Sequence, residues 1–192
     1  MAVIRSQSRR RTIDTRRLQP HPASPAAEVT GIAAGIIGVS AHWIELRWRI
    51  ENAGALVVPP LAGRRRADRL WETTCFELFV AAPGASGYAE YNFSPSECWA
   101  AYDFTGYREG MSERPMPRPP VCSFRRGGAF ALFDVAVPRA GLPPPPWRYA
   151  LTAVIEEAGG TKSFWAFAHG GERPDFHDPA CFAATLPAPG VV

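Results

Sequence analysis

HWIELRWRI, residues 42–50, alternates between two sets of side chains. One set comprises His42, Ile44, Leu46, Trp48 and Ile50, and the other comprises Trp43, Glu45, Arg47 and Arg49. A period of two is that of a β-strand, because successive side chains of a strand point to opposite faces of the sheet. The stretch therefore predicts a half-buried strand whose outer face carries opposite charges.

Strand-like runs recur along the rest of the chain. They are LWETTCFELFVAA (70–82), YAEYNF (88–93), ECWAAYDF (97–104), AFALFDVAV (129–137) and a hairpin at 147–169 that turns at Gly159-Gly160. The chain has 20 Pro and 17 Gly, which leave little room for helices, and no βαβ spacing. Roughly eight to ten strands are expected. They predict an all-β fold, an antiparallel β-sandwich of the jelly-roll or immunoglobulin-like type, because two sheets bury each other's apolar faces.

The 192 residues suit one domain preceded by a short lead-in. Residues 1–25 are basic and lack periodicity, which favours a flexible arm, and residues 26–192 are expected to form a single sandwich domain. Much of the positive charge lies in 5–17 and in Arg64-Arg65-Arg66, which is expected to be a solvated loop. The aromatic strands are nearly neutral and Lys162 is the only lysine, so no nucleic-acid partner is expected.

The cysteines and the hydropathy pattern bear on metal sites and on location. Four cysteines lie far apart without C-x-x-C spacing, which argues against a zinc site. No stretch approaches the ~18 apolar residues of a membrane span, so no membrane partner is expected. Residues 1–20 contain arginines but no apolar segment, which favours a cytoplasmic protein with reduced thiols. The pattern leaves the oligomeric state open.

Acidic and amide side chains alternate on two neighbouring predicted strands. If these strands pair, Glu77, Glu90 and Asn92 share a face with Phe79 and Tyr88. Carboxyl groups, an amide and flat rings suit a sugar, since the polar groups bind hydroxyls and a ring covers the less polar face of a pyranose. Periodicity alone favours the plainer alternative, in which the acids lie on a solvated face. A glycosidase pair of acids, roughly 5 to 10 Å apart, is a further alternative.

The segment NFSPSECWAAYDF, residues 92–104, places two aromatic side chains on opposite faces. Alternation puts Trp99 with Glu97, Ala101 and Asp103, and Tyr102 with the more apolar set. Trp99 is therefore expected to face a ligand near Asn92, whereas Tyr102 is expected to pack in the core.

Histidine and methionine side chains raise the question of haem. His169 ends a strand, His177 lies in PDFHDP, and Met111 offers a thioether. No C-x-x-C-H, G-x-S-x-G or phosphate-binding glycine loop is present, so the residues alone do not require an enzyme.

Three ordered blocks carry a resemblance to a known family. They are RADRLWETTCFELFV, YNFSPSECWAAYDFTGYREGM and FWAFAHGGERPDFHDPACF, and they fall within residues 65–185. They resemble bacterial DOMON-like proteins related to the family 9 carbohydrate-binding module, which carry similar L-W-x-x-T-C-F-E-x-F, Y-R-x-G-M and P-D-F-H patterns. The resemblance implies a β-sandwich that binds a small ligand between or across its sheets, and relatives bind either sugars or haem.

The resemblance also suggests ligand-binding positions. They are Glu77, Asn92, Trp99, Arg108, Trp71, Tyr107 and His169. The resulting hypothesis is a non-catalytic module for a carbohydrate-like ligand, with no cofactor, in which Glu77, Asn92 and Arg108 bind hydroxyls and Trp99 stacks. The alternatives are a b-type haem module with His169 and Met111 as axial ligands, or a structural domain without a ligand.

Overall fold

A computed structural model describes residues 14–188, and this part of the chain contains twelve antiparallel strands and four short 3₁₀ turns. The strands are β1 (Asp14–Pro20), β2 (Gly31–Val39), β3 (Trp43–Glu51), β4 (Cys75–Ala81), β5 (Tyr88–Phe93), β6 (Trp99–Phe104), β7 (Ser112–Glu113), β8 (Val121–Arg126), β9 (Phe130–Pro138), β10 (Trp147–Glu156), β11 (Lys162–Ala166) and β12 (Ala184–Leu186). The turns cover Ala53–Ala55, Leu70–Glu72, Arg139–Gly141 and Pro179–Cys181. The predicted all-β antiparallel fold is confirmed.

The strands form one continuous sheet that curls into two facing layers. Their order is β7-β6-β5-β4-β10-β11-β1-β2-β3-β9-β8, and β12 pairs with β10. We call β4–β7 with β10–β12 the front layer, and β2, β3, β8 and β9 the back layer. β1 joins the layers because it pairs with both β11 and β2.

The main core lies between the two layers. Trp48 of β3 and Phe133 of β9, both in the back layer, meet Phe76 of β4, with ring centroids 5.4 Å and 4.5 Å from that of Phe76. The alternation predicted for residues 42–50 holds within β3, where every second side chain from Ile44 to Ile50 is buried. His42 precedes the strand and is exposed. The outer face of β3 carries the expected charges, among them Arg47, whose Nε donates to Asp134 Oδ1 at 2.6 Å.

The prediction of a flexible arm over residues 1–25 is wrong for residues 14–25. Residues 14–20 are β1, whose Leu18 enters the core, and His21 is buried behind it. Gly35 of β2 allows the close approach of β1, because a Cβ there would lie 2.0 Å from the Asp14 carbonyl oxygen. The strand gave little periodic signal because Leu18 is the one buried side chain among its seven residues. The rest of the predicted arm, residues 1–13, lies outside the described residues.

Arg66 also departs from the prediction of a solvated loop. Its Nη2 donates to the Ala101 carbonyl at 2.6 Å, and its guanidinium lies 5.3 Å from the ring centre of Tyr102. The segment containing Arg66 therefore packs against β6 rather than standing free.

The outer face of the front layer is covered rather than exposed. Residues 170–183 and the turn Leu70–Glu72 lie over it, and a second apolar cluster forms there around Phe79, Tyr88 and Phe182. Within residues 14–188, no helix is long and apolar enough to cross a membrane. The covered face is the place where a pocket opens.

Candidate functional site

A pocket of about 460 Å³ lies on the outer face of the front layer. Its lining comes from β4, β5, β6, β10 and β11 together with three flanking segments. These residues are Trp71, Glu77, Phe79, Glu90, Tyr102, Phe104, Arg108, Met111, Val154, Phe164, Pro174, Asp175, Phe176 and His177. Its volume falls within the range of small-molecule sites, and apolar rings surround a few polar groups.

Strand register brings the polar groups onto this face. Glu77 pairs with Asn92 across β4 and β5, and with Thr152 across β4 and β10. Glu90, two residues before Asn92 on β5, pairs with Tyr102 of β6. Because paired residues in adjacent strands point to the same face, all five side chains lie on the outer face of the front layer.

The two glutamates are buried but differently supported. Thr152 Oγ1 donates to Glu77 Oε2 at 2.9 Å, and Asn92 Nδ2 donates to Glu90 Oε1 at 2.6 Å. Glu77 is 3% exposed, Glu90 5% and Asn92 0%. Asn92 does not line the pocket, so its role is to orient the Glu90 carboxyl from behind.

Burial changes the protonation of both glutamates. Loss of solvent and then the charge of the neighbouring Glu90 raise the pKa of Glu77 to about 8, against the lowering effect of the Thr152 hydrogen bond. Burial also raises the pKa of Glu90 to about 7, against the lowering effects of the Asn92 hydrogen bond and the Arg108 charge. At neutral pH the Glu77 carboxyl therefore keeps its proton for most of the time, and the Glu90 carboxyl titrates close to that pH.

His177 closes one side of the pocket as a neutral imidazole. Burial and then the Arg108 charge lower the pKa of His177 to about 4. The Tyr88 hydroxyl accepts from the Arg108 backbone N–H at 3.3 Å and is hydrogen-bonded to His177 Nδ1 at 2.6 Å. His177 Nε2 lies 3.7 Å from Glu90 Oε2. This contact is not an ion pair, because the histidine is uncharged.

Asp175 joins the two segments that form the pocket rim. Its Oδ1 accepts from Arg108 Nη2 at 2.8 Å and from the His177 backbone N–H at 3.0 Å, and the Tyr107 hydroxyl donates to its Oδ2. Arg108 has a φ of 56°, and the turn closes through Gly110, whose φ is 62°. These bonds fix both the turn and PDFHDP at the edge of the pocket.

The structure brings some predicted site residues together and separates others. Trp71, Glu77 and Arg108 line the pocket. Asn92 and Tyr107 act behind it, through Glu90 and Asp175 respectively.

The predicted positions of Trp99 and Tyr102 are interchanged. Register pairs Trp99 with Phe93, so Trp99 lies in the main core between the layers, while Tyr102 lines the pocket. The prediction counted Glu97 as a strand residue, but Glu97 has a φ of 70° and belongs to the turn before β6. Trp99 is therefore not positioned to stack on a ligand in this pocket.

His169 also lies away from the pocket. Its Nε2 donates to the Gln19 carbonyl at 2.9 Å, and its ring meets that of His21 edge-on at 4.8 Å. Met111 lines the pocket, so the pair considered as axial haem ligands is not gathered at this site. No group of three or more His, Cys, Asp or Glu side chains within residues 14–188 is arranged to hold a metal ion.

Comparison with known proteins adds one finding. No family model matches the chain, and no curated protein matches its sequence. The crystal structure of a "putative carbohydrate-binding protein" from Bacteroides uniformis aligns with a TM-score of 0.61 and 16% sequence identity, covering 88% of this chain and 83% of that one. The likeness is one of fold.

Several pocket residues were absent from the predicted set of site residues. They are Phe79, Glu90, Tyr102, Phe104, Phe164, Asp175, Phe176 and His177. Glu90 and His177 were visible as candidates in the sequence, and the alternation of β6 against β5 would have identified Tyr102 and Phe104. Phe176 gave no periodic signal, because it lies in an irregular segment.

Proposed function

We propose that this protein is a non-catalytic module that binds a small carbohydrate in the pocket of the front layer. The observation that carries the proposal is the pairing of buried carboxyl groups with aromatic walls in one cavity of about 460 Å³. Glu77 and Glu90 offer hydrogen bonds to hydroxyls, and Trp71 at the rim offers a flat face to a sugar ring.

The sequence blocks that resemble DOMON-like proteins support the proposal by their placement. The first block contributes Trp71 and Glu77, the second contributes Arg108, and the last contributes Asp175 and His177, all to this pocket. The Bacteroides uniformis protein, whose name refers to carbohydrate binding, shares the fold. A relationship to the DOMON-like and family 9 carbohydrate-binding proteins is part of the proposal.

Calorimetric titration of the purified protein with a panel of mono- and disaccharides tests the proposal. We expect at least one sugar to bind, and the Trp71→Ala variant to weaken that binding by about tenfold through loss of the stacking face. Trp71 is 39% exposed, so its removal is not expected to unfold the chain.

Trp43→Ala is the matched control, because Trp43 is half-buried on the back layer and contacts Arg118 away from the pocket. It should bind the same sugar as the unmodified protein. Absence of binding across the whole panel would refute the carbohydrate proposal. Turnover of a chromogenic glycoside that disappears in Glu90→Gln would instead refute the non-catalytic part.

A further inference from the structure

Acidic groups outnumber basic groups in the lining of the pocket. Glu77, Glu90 and Asp175 bring three carboxyl groups to its lining, against the single guanidinium of Arg108. Arg108 is already bonded to Asp175 at 2.8 Å. Within residues 14–188, neither Glu77 nor Glu90 forms an ion pair with a lysine or arginine side chain.

The Glu77 carboxyl retains unused hydrogen-bonding capacity. Among the described residues, its hydrogen-bond partner is the Thr152 hydroxyl, which reaches Oε2. Oε1 has no such partner, although the side chain is only 3% exposed and lines the pocket. Oε1 is not one of the fully buried polar atoms that lack a partner, so it remains accessible from the pocket and can accept a hydrogen bond from a ligand.

Aromatic rings surround the same place. Trp71, Phe104 and Phe164 line the pocket from the rim, β6 and β11. The faces of such rings carry partial negative charge and attract a cation, most strongly where water is excluded. Carboxyl groups surrounded by aromatic rings therefore favour the binding of an ammonium group.

Resting on the proposed carbohydrate function, the geometry points to a ligand that carries one positive charge, namely an amino sugar whose ammonium group lies between Glu77 and Glu90. The sugar ring then lies toward Trp71 and Arg108, at the rim. A neutral sugar fills the same space but leaves the carboxyl pair without a counter-charge.

Binding of a cation is coupled to release of a proton from the carboxyl pair. The titratable and charged groups that face the pair are Cys75 and Glu77 on β4, Tyr88 and Glu90 on β5, Tyr102 on β6 with its partner Asp68, Arg108 in the turn, and Asp175 and His177 in the covering segment. Between about pH 6 and pH 8, Glu77 and Glu90 are the members of this set whose raised pKa values fall in range. A ligand of fixed positive charge therefore binds more tightly as the pH rises through this interval.

The test compares glucosamine, galactosamine and mannosamine with their parent sugars, and adds choline as a cation of fixed charge. Titrations use the full chain at several pH values and in buffers of different ionisation enthalpy. We expect one amino sugar to bind about tenfold more tightly than its parent. We also expect its binding to release roughly one proton near pH 7.

Glu77→Gln keeps the shape of the side chain and an acceptor for Thr152, but it removes the acid. The preference for the amino sugar over its parent should fall about tenfold in this variant. Asp134→Asn, on the outer face of the back layer, is the control and should keep the preference.

The outcomes separate the inference from the function on which it rests. Equal affinity for a sugar and its amino counterpart, with no proton release, would overturn the inference and leave the carbohydrate proposal standing. Choline binding without any sugar binding would support the cation site and overturn the carbohydrate proposal. A preference that persists in Glu77→Gln would also overturn the inference.

Discussion

Glu157 and Glu77 are both buried glutamates in contact with β10, yet their carboxyl groups are used in opposite ways. Glu157, which follows β10, is 0% exposed and accepts the backbone N–H groups of residues 27–29 at 2.7, 2.6 and 2.8 Å. Glu77 accepts one hydroxyl, from Thr152, and faces a pocket. Burial is common to both, and spare hydrogen-bonding capacity belongs to Glu77 alone.

The difference separates a structural acid from a candidate binding acid. The Glu157 carboxyl fixes the segment that leads from β1 into β2, because those three N–H groups have no strand partner to accept them. With both oxygens engaged and the side chain 0% exposed, this carboxyl is closed to a ligand. The Glu77 carboxyl, held on one side only, can change both its partner and its protonation.

The variant with the largest expected effect on stability removes the structural acid, Glu157. Glu157→Ala removes the acceptor of three backbone N–H groups, of which that of Val29 is buried, while Ala27 and Glu28 are exposed residues. Because a buried N–H group without an acceptor costs about 1–3 kcal/mol, we expect the free energy of unfolding, measured by urea denaturation, to fall by about 2 kcal/mol or more. Glu156→Ala, at the half-buried neighbouring position, is the control and should cost less than about 1 kcal/mol. Equal losses in the two variants would show that Glu157 does not hold the segment.

The second test uses the pH dependence of stability to detect the raised pKa of Glu77. Folded Glu77 keeps its proton up to about pH 8, whereas an unfolded glutamate loses it near its ordinary pKa of 4.5. The unfolded state therefore binds fewer protons, and stability falls as the pH rises between these values. His177 acts in the opposite direction below its ordinary pKa of 6.5.

Above pH 6.5 the contribution of His177 no longer changes with pH, so the contribution of Glu77 can be measured. Between about pH 6.5 and pH 8 we expect the unmodified protein to lose about 1–2 kcal/mol of stability, since one group contributes at most about 1.4 kcal/mol per pH unit. Urea denaturation at stepped pH values measures this loss, which should be smaller in Glu77→Gln. The control Asp134→Asn should keep the full slope. Identical slopes in Glu77→Gln and the unmodified protein would contradict a raised pKa at Glu77.

Much of the fold followed from alternation, because a period of two specifies a strand and its buried face. Alternation also placed Glu77, Glu90 and Asn92 on one face with Phe79 and Tyr88. The same pattern in β3 marks a solvent-facing surface, where Arg47 and Asp134 pair. Periodicity could not separate a solvated face from a covered one, since the cover at residues 170–183 has no periodicity of its own.

Two errors arose where the backbone departs from regular structure. Glu97 has a positive φ and lies in a turn, so it does not belong to the face of Trp99, and counting it there made the set with Tyr102 look like the main core face instead of the covered outer face. β1, which pairs with β2 and β11, escaped prediction because only Leu18 of its seven residues is buried, so no alternation marks the strand. Both features depend on contacts between segments far apart in sequence.

A third acid, Asp134, is expected to contribute least to the free energy of unfolding. Asp134 lies on the outer face of the back layer, where its carboxylate accepts from Arg47 Nε and Nη2 at 2.6 and 2.9 Å and also pairs with Arg125. These groups keep part of their hydration, with 23% of the Asp134 side chain and 39% of the Arg47 side chain exposed. Partly solvated ion pairs contribute little, so Asp134→Asn should lower the free energy of unfolding by about 1 kcal/mol or less.

The salt dependence of stability tests whether the small loss in Asp134→Asn comes from its ion pairs. Screening weakens an exposed ion pair, so the difference between Asp134→Asn and the unmodified protein should shrink in high salt. The loss in Glu157→Ala should persist, because it comes mainly from the buried Val29 N–H group that has lost its acceptor. Urea denaturation of both variants at low and high salt measures the contrast. A salt-independent loss in Asp134→Asn as large as that in Glu157→Ala would mean that the exposure of an acid does not predict its contribution to stability. The unused hydrogen-bonding capacity of Glu77 would then have to be judged by ligand binding alone.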